Sequence, residues 1–244
     1  MRHLNKSLLM FACMWTITFS GTLWAQTITL AVGEWAPYTS KTDESARLAQ
    51  NLVTKIFAQA GIEVKYVYVP WKRAYNLTKD GKYDGTFPWY RNDERIKDFR
   101  FPKEPLIKEA YVFFHLKNSQ FEWDTLDDLK TYKIGVMSGE FSEKLLSDHG
   151  VRIESISDGN ANFKKILSNR IEAYTTSKLV GYHAIQNMFP PEKVSMFTNH
   201  PKPLKEGEMF IMFSKSVDPG VIKASDEVLT ELKASGKYEE ILNR

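Results

Sequence analysis

From residue 27 to the C-terminus, short runs rich in β-branched and aromatic residues alternate with stretches of helical period. That alternation restricts the chain to α/β units with largely parallel strands. Residues 27–32 read as a first strand. The next stretch, 43–60, sets Leu48, Leu52, Ile56 and Ala60 on one helical face and stops at Gly61, which accepts a left-handed cap. Residues 64–69 form a second strand, so the unit is strand, helix, strand with a right-handed crossover. Pro70 opens a helix over 71–80 that Gly81 closes, and 83–87 returns as a strand.

Residues 110–116 are apolar and aromatic, and the polar 117–120 read as a linker to a second α/β series. That series runs helix 125–130, strand 133–137, helix 141–149, strand 151–156, helix 161–168, strand 171–174, helix 177–188 and short strands 194–197 and 209–213. Two amphipathic helices, 219–233 and 237–242, finish the chain and have no strand of their own to cover. They are expected to return to the first lobe, which would then comprise 26–116 and 214–244, with 117–213 as the second lobe. Two crossings, near 114–118 and 213–216, would frame a cleft, the natural place for a ligand.

The N-terminus reads as an export signal over residues 1–25: Arg2 and Lys6, an apolar run over 8–19, then Leu23-Trp24-Ala25 before Gln26. Its dozen apolar residues fall short of the roughly 20 a spanning helix needs. Cleavage removes two cations and leaves 31 Lys plus Arg against 30 Asp plus Glu. So balanced a chain lacks the basic face that nucleic acids require. Cys13, the only cysteine, leaves with the signal, which excludes disulfides and thiolate chemistry from the mature protein. The histidines at 115, 149, 183 and 200 form no ligand pair, and no nucleophile elbow is present, so neither a metal, a cofactor nor a catalytic constellation is expected.

Several pieces, in order along nearly the whole mature chain, resemble bacterial extracellular solute-binding proteins of family 3, the polar amino-acid receptors of ABC importers. They are Leu30-Ala31-Val32-Gly33-Glu34-Trp35-Ala36-Pro37-Tyr38, Gly81-Lys82-Tyr83-Asp84-Gly85, Glu94-Arg95 with Asp98-Phe99-Arg100-Phe101, Asp128-Leu129-Lys130 leading to Ile134-Gly135-Val136, and Leu232-Lys233-Ala234-Ser235-Gly236-Lys237-Tyr238. The resemblance implies a two-lobed, Venus-flytrap fold of the type II periplasmic-binding-protein kind with two hinge crossings. It implies a monomer in the periplasm that hands a small-molecule ligand to an inner-membrane ABC permease.

By position, the resemblance gives Trp35 and Trp71 the role of rings above and below the ligand, and Arg95 that of the guanidinium gripping an α-carboxylate. A planar, always-charged fork suits a carboxylate. The departures are as informative. Phe87-Pro88-Trp89-Tyr90 stands where receptors place small hydroxyl and glycine residues, and Pro88 has no amide hydrogen to donate. Glu140 and Phe141 follow Ser138-Gly139 where a threonine is usual, and Ser177 occupies the place of the acid that pairs with the α-ammonium. Tyr38, Trp89 and Tyr90 add rings to the candidate cleft. A more aromatic ligand, or a cation held by Glu34, Glu140 and the tryptophans, fits these changes.

Two rivals share the fold. One is a cyclohexadienyl-dehydratase-like enzyme with Glu34 or Glu140 as base. The other is a sensing subunit that reports to a membrane receptor. The charged stretch holding Arg91, Arg95 and Arg100 between Asp93, Glu94 and Asp98 also reads as a solvated, salt-bridged turn, from which position alone removes Arg95.

Overall fold

The computed structural model describes residues 26–242; the expected export signal lies outside the described residues. The first half contains β1 (Gln26–Val32), α1 (Leu48–Gln59), β2 (Ile62–Tyr68), α2 (Trp71–Lys79), β3 (Gly85–Tyr90), α3 (Asp93–Asp98) and β4 (Ile107–Leu116). The remainder contains β5 (Lys133–Met137), α4 (Phe141–Asp148), β6 (Arg152–Ile156), α5 (Ala161–Leu167), β7 (Ala173–Ser177), α6 (Lys178–Met188), α7 (Pro191–Val194), β8 (Phe197–Asn199), β9 (Lys205–Phe213), α8 (Pro219–Ala234) and α9 (Lys237–Leu242).

The strands form one sheet in the order β2-β1-β3-β9-β4-β7-β5-β6, with β8 paired to β4. Within it β2, β1 and β3 are parallel, and so are β7, β5 and β6. The antiparallel pair β4 and β9 joins the two trios. Each trio with its helices is an α/β layer, as the alternating periods require.

The two trios have separate cores. Leu30, Leu52, Ile56, Phe57 and Phe87 pack together in the first, with Ile107 from the start of β4 and Met209, Ile211 and Phe213 from β9. Farther along β4, Val112 and Phe114 join Phe163 and Ile185, while Phe113 packs on the opposite face with Phe121 and Leu129. The chain therefore passes from one core to the other between Ile107 and Val112 along β4, and before Met209 along β9. Residues 117–120 form a turn tied to the second half, Lys117 N donating to Met196 O at 2.9 Å.

The C-terminal helices cover the first core. Val221, Val228, Leu229 and Leu232 of α8 pack with Leu52 and Ile56 of α1, and Tyr238 of α9 donates to Leu106 O at 3.0 Å. Helix α1 is shorter than its apolar period: Asp43 caps a single 3-10 turn at Glu44–Ala46, and Arg47, at φ −125°, breaks the helix before Leu48. Gly61, at φ +72°, ends it. Among the described residues no helix is long and apolar enough to cross a membrane.

Candidate functional site

The C-terminal ends of the first three strands converge, and an indole lies at each. Trp35 follows β1, Trp71 opens α2 after β2, and Trp89 lies near the end of β3. Their rings meet edge to face: Trp35 and Trp71 at 6.5 Å and 88°, Trp71 and Trp89 at 5.5 Å and 84°. Gly33 makes this approach possible, since a Cβ there would sit 2.5 Å from the Trp71 ring. Trp89 Nε1 donates to Thr86 Oγ1 at 2.9 Å, which fixes its plane.

Arg95 lies against this wall. Asn92 caps α3 by accepting Arg95 N at 2.9 Å. The guanidinium stacks 4.8 Å above Trp89 and donates from Nη1 to Tyr90 O at 2.6 Å. Burial holds its pKa below the ordinary arginine value. No ion pair joins it to a carboxylate among the described residues.

The salt-bridged turn expected around it does not form. Arg91 stacks 4.1 Å over Phe210 and donates to Pro102 O, Arg100 Nη1 donates to Val217 O at 3.0 Å, and Asp98 pairs with Lys79 at 2.7 Å. Neighbouring carbonyls and rings outcompete pairing within the stretch, because they are already held in place while exposed ion pairs contribute little.

The second half supplies the facing wall. Phe141 opens α4 and packs edge-on against Tyr111 of β4 at 4.8 Å and against Tyr90 of β3 at 6.4 Å. Lys205, at the start of β9, places Nζ 4.0 Å above Tyr90 and 4.7 Å from Phe141. Its pKa is lowered by burial and, secondarily, by the positive charge of Arg95.

Glu140 precedes α4 but makes no side-chain cap; Glu143 instead takes Gly139 N at 2.7 Å. Tyr111 OH lies 3.5 Å from Glu140 Oε1, and Oε2 is buried with no partner. Burial pushes the Glu140 carboxyl up to about 7. Tyr90 OH, Ser142 Oγ and Thr175 Oγ1 are also buried and unpartnered. Buried polar atoms are nearly always satisfied, and these are exceptions, as are Trp123 Nε1 and Asn162 Oδ1.

A further carboxylate, Glu109 of β4, is 4% exposed. Tyr38 OH donates to its Oε2 and Ala110 N to its Oε1 at 3.0 Å. The Ser177 hydroxyl and the Lys178 amide also serve it, yet burial keeps its pKa above the ordinary value. Ser177 additionally caps α6, accepting Val180 N at 3.4 Å. Tyr38 packs against Trp35 at 4.7 Å with the rings tilted by 33°, so it links the indole wall to Glu109 and Ser177. A cavity of about 320 Å³ adjoins Tyr38, Glu109, Lys178 and Tyr182.

Nine sequence-derived candidates thus line one continuous region: Trp35, Tyr38, Trp71, Trp89, Tyr90 and Arg95 from the first half, Glu140, Phe141 and Ser177 from the second. Glu34 does not join them; it is exposed and its Oε1 accepts Lys41 N at 2.7 Å within its own loop. Glu109, Tyr111 and Lys205 escaped the sequence reading. For Glu109 a signal existed: it shares the inward period of Ile107, Tyr111 and Phe113 on one strand.

A family model for "Bacterial extracellular solute-binding proteins, family 3" matches residues 28–244. No curated protein sequence matches. Among solved structures, an ancestral arginine-binding protein bound to arginine is 20% identical, with 89% of this chain and 96% of that one covered and a TM-score of 0.71. The substrate-binding protein of an amino acid ABC transporter is 17% identical over 89% of this chain and 97% of that one, at a TM-score of 0.68. An ancestral amino acid-binding protein, a precursor of cyclohexadienyl dehydratase, is 17% identical over 89% and 93%, at 0.69. At these identities the likeness is one of fold: the two-lobed type II binding-protein architecture.

Proposed function

Since this chain belongs to the bacterial extracellular solute-binding proteins of family 3, and so binds a polar solute, we propose that it encloses a small amino-acid-like guest between two lobes and releases it unchanged. The lobes are the two α/β trios, the first completed by α8 and α9, and the hinges are residues 108–111 and 205–208, slightly earlier in the chain than 114–118 and 213–216. The partner is a membrane ABC permease, and the protein acts as a monomer in the periplasm after loss of residues 1–25.

One observation carries this reading: Arg95 presents a guanidinium with no carboxylate partner among the described residues, against a wall of indoles, while Tyr90 OH and Glu140 Oε2 are buried without partners. Arg95 and Trp35, Trp71 and Trp89 take the guest's carboxylate and apolar parts; Glu140 and Tyr90 take its hydrogen-bond donors. Mass spectrometry of co-purified guest and a thermal-shift screen of amino acids, amines and aromatic acids test it, since excess ligand raises the melting temperature. Arg95→Ala is expected to weaken any carboxylate guest by about 1.5 to 3 kcal/mol. Unchanged affinity would remove Arg95 from the site.

A second reading rests on Glu140. A carboxyl near 7, hydrogen-bonded by Tyr111 at a lobe interface, is poised for proton transfer, and one structural relative is a precursor of cyclohexadienyl dehydratase. Turnover of prephenate or arogenate that Glu140→Gln abolishes would establish an enzyme; intact guest recovered after binding favours the receptor. Pull-down from membranes separates a permease partner from a sensory one.

A further inference from the structure

Two partly buried cations in the cleft region lack a carboxylate partner among the described residues. Arg95 comes from α3 of the first half and Lys205 from the strand that crosses between the halves, and the two share Tyr90 as a neighbour. Arg95 lies over the Trp89 ring and on the Tyr90 carbonyl; Lys205 lies over the Tyr90 ring. The acids beside Lys205 in sequence, Glu206 and Glu208, are exposed and form no ion pair with it. Across the strand its partner is Tyr111, and its other neighbour is Phe141, so rings rather than carboxylates surround it.

We infer that Lys205 is a specificity-determining residue, a second anion-holding group, and that the guest carries two acidic groups, one for Arg95 and one for Lys205. A cation drawn partly out of water without a counter-ion is costly, and ring contacts offset only part of that cost. Two such cations near one another repel, as the depression of the Lys205 pKa by Arg95 reflects. A guest with two acidic groups relieves both penalties at once. The two side chains are suited to unequal tasks: the guanidinium fork aligns one carboxylate in its plane, while the ammonium is a point charge that accepts the second from several directions.

Neither Glu109 nor Glu140 forms an ion pair with Lys205 or Arg95 among the described residues; Glu109 is engaged instead by Tyr38 OH and Ala110 N, and Glu140 by Tyr111 OH. Glu140 Oε2 and Tyr90 OH instead accept a donor from the guest, which fits a diacid bearing an amino group.

The inference rests on the binding role proposed above and is tested by calorimetry on the full chain with glutarate, L-glutamate, L-glutamine and L-arginine. The expected result is a preference for L-glutamate over L-glutamine of roughly tenfold or more. Lys205→Met, which keeps the stem and drops the charge, is expected to collapse that ratio, and Lys205→Arg to restore most of it. Melting of the guest-free variants reports their folding; a purely structural lysine would change that melting and leave the ratio intact.

Failure of both diacids to bind overturns the inference, whichever other guest binds, and so does a preference that survives in Lys205→Met. Arg95→Ala is the separate check on the underlying reading. If it spares binding while Lys205→Met still destroys the diacid preference, the role of Arg95 fails and that of Lys205 stands.

Discussion

Glu140 is the residue whose surroundings oppose its charge most directly. Its folded pKa of about 7 lies above the ordinary 4.5. Below the ordinary value both folded and unfolded chains are protonated, and the carboxyl costs nothing. As pH rises from there, the unfolded chain ionises first, so stability falls until about 7 and then levels off, by at most about 3 kcal/mol. Glu140→Gln is therefore expected to melt higher than the parent at pH 8, with the gap closing toward pH 4.5; a gap independent of pH in differential scanning calorimetry would refute the buried acid. At Gly33 the constraint is steric. Gly33→Ala is expected to displace Trp71 and weaken guest binding several-fold, visible as a change in tryptophan emission. Arg95, Trp35 and Trp71 were legible as candidates because each sits in a recognisable stretch of sequence, and they lie on one wall. Glu109 was marked only by its inward period on β4, since its partner Tyr38 lies 71 positions away, and a lone lysine in Lys205-Glu206-Gly207-Glu208 looks like any solvated segment until Tyr90 and Phe141 are brought beneath it.

Among the elements, those with a full apolar face were readable. Helices α6 and α8 and the strands β1 and β5 fall close to the expected spans, while α1 begins five residues late, at Leu48. Helix α3 was missed because its six residues include no buried side chain and therefore leave no period to read. The polar first half of β9 was missed because its pairing with β4 is set by the fold and not by composition. Packing of α6 on β4 depends on Gly181, where a Cβ would lie 2.2 Å from the Phe114 ring, itself fully buried. Gly181→Ala is expected to destabilise the protein by about 1 to 3 kcal/mol, through overpacking. Urea unfolding would show this as a lowered midpoint with an unchanged slope. An unaltered midpoint would mean that the helix is free to shift.

For the whole molecule, one apolar core in the first half and two in the second, one on each face of its strands, are joined by β4 and β9. The proposed closure on a guest would draw its free energy from contacts made only in the shut state. Small-angle scattering is expected to show a smaller radius of gyration with saturating guest than without, and profiles that stay identical with and without a guest that binds would argue for a rigid body. The linking strands also determine which residues travel. In the proposed closure the halves would turn about these two strands, which backbone hydrogen bonds lace together, so Tyr111 and Lys205, partners across them, are expected to move least. A guest of the proposed cleft would meet them in the open molecule and keep them on closure, a fixed anvil against which walls of indole and phenylalanine would come to rest.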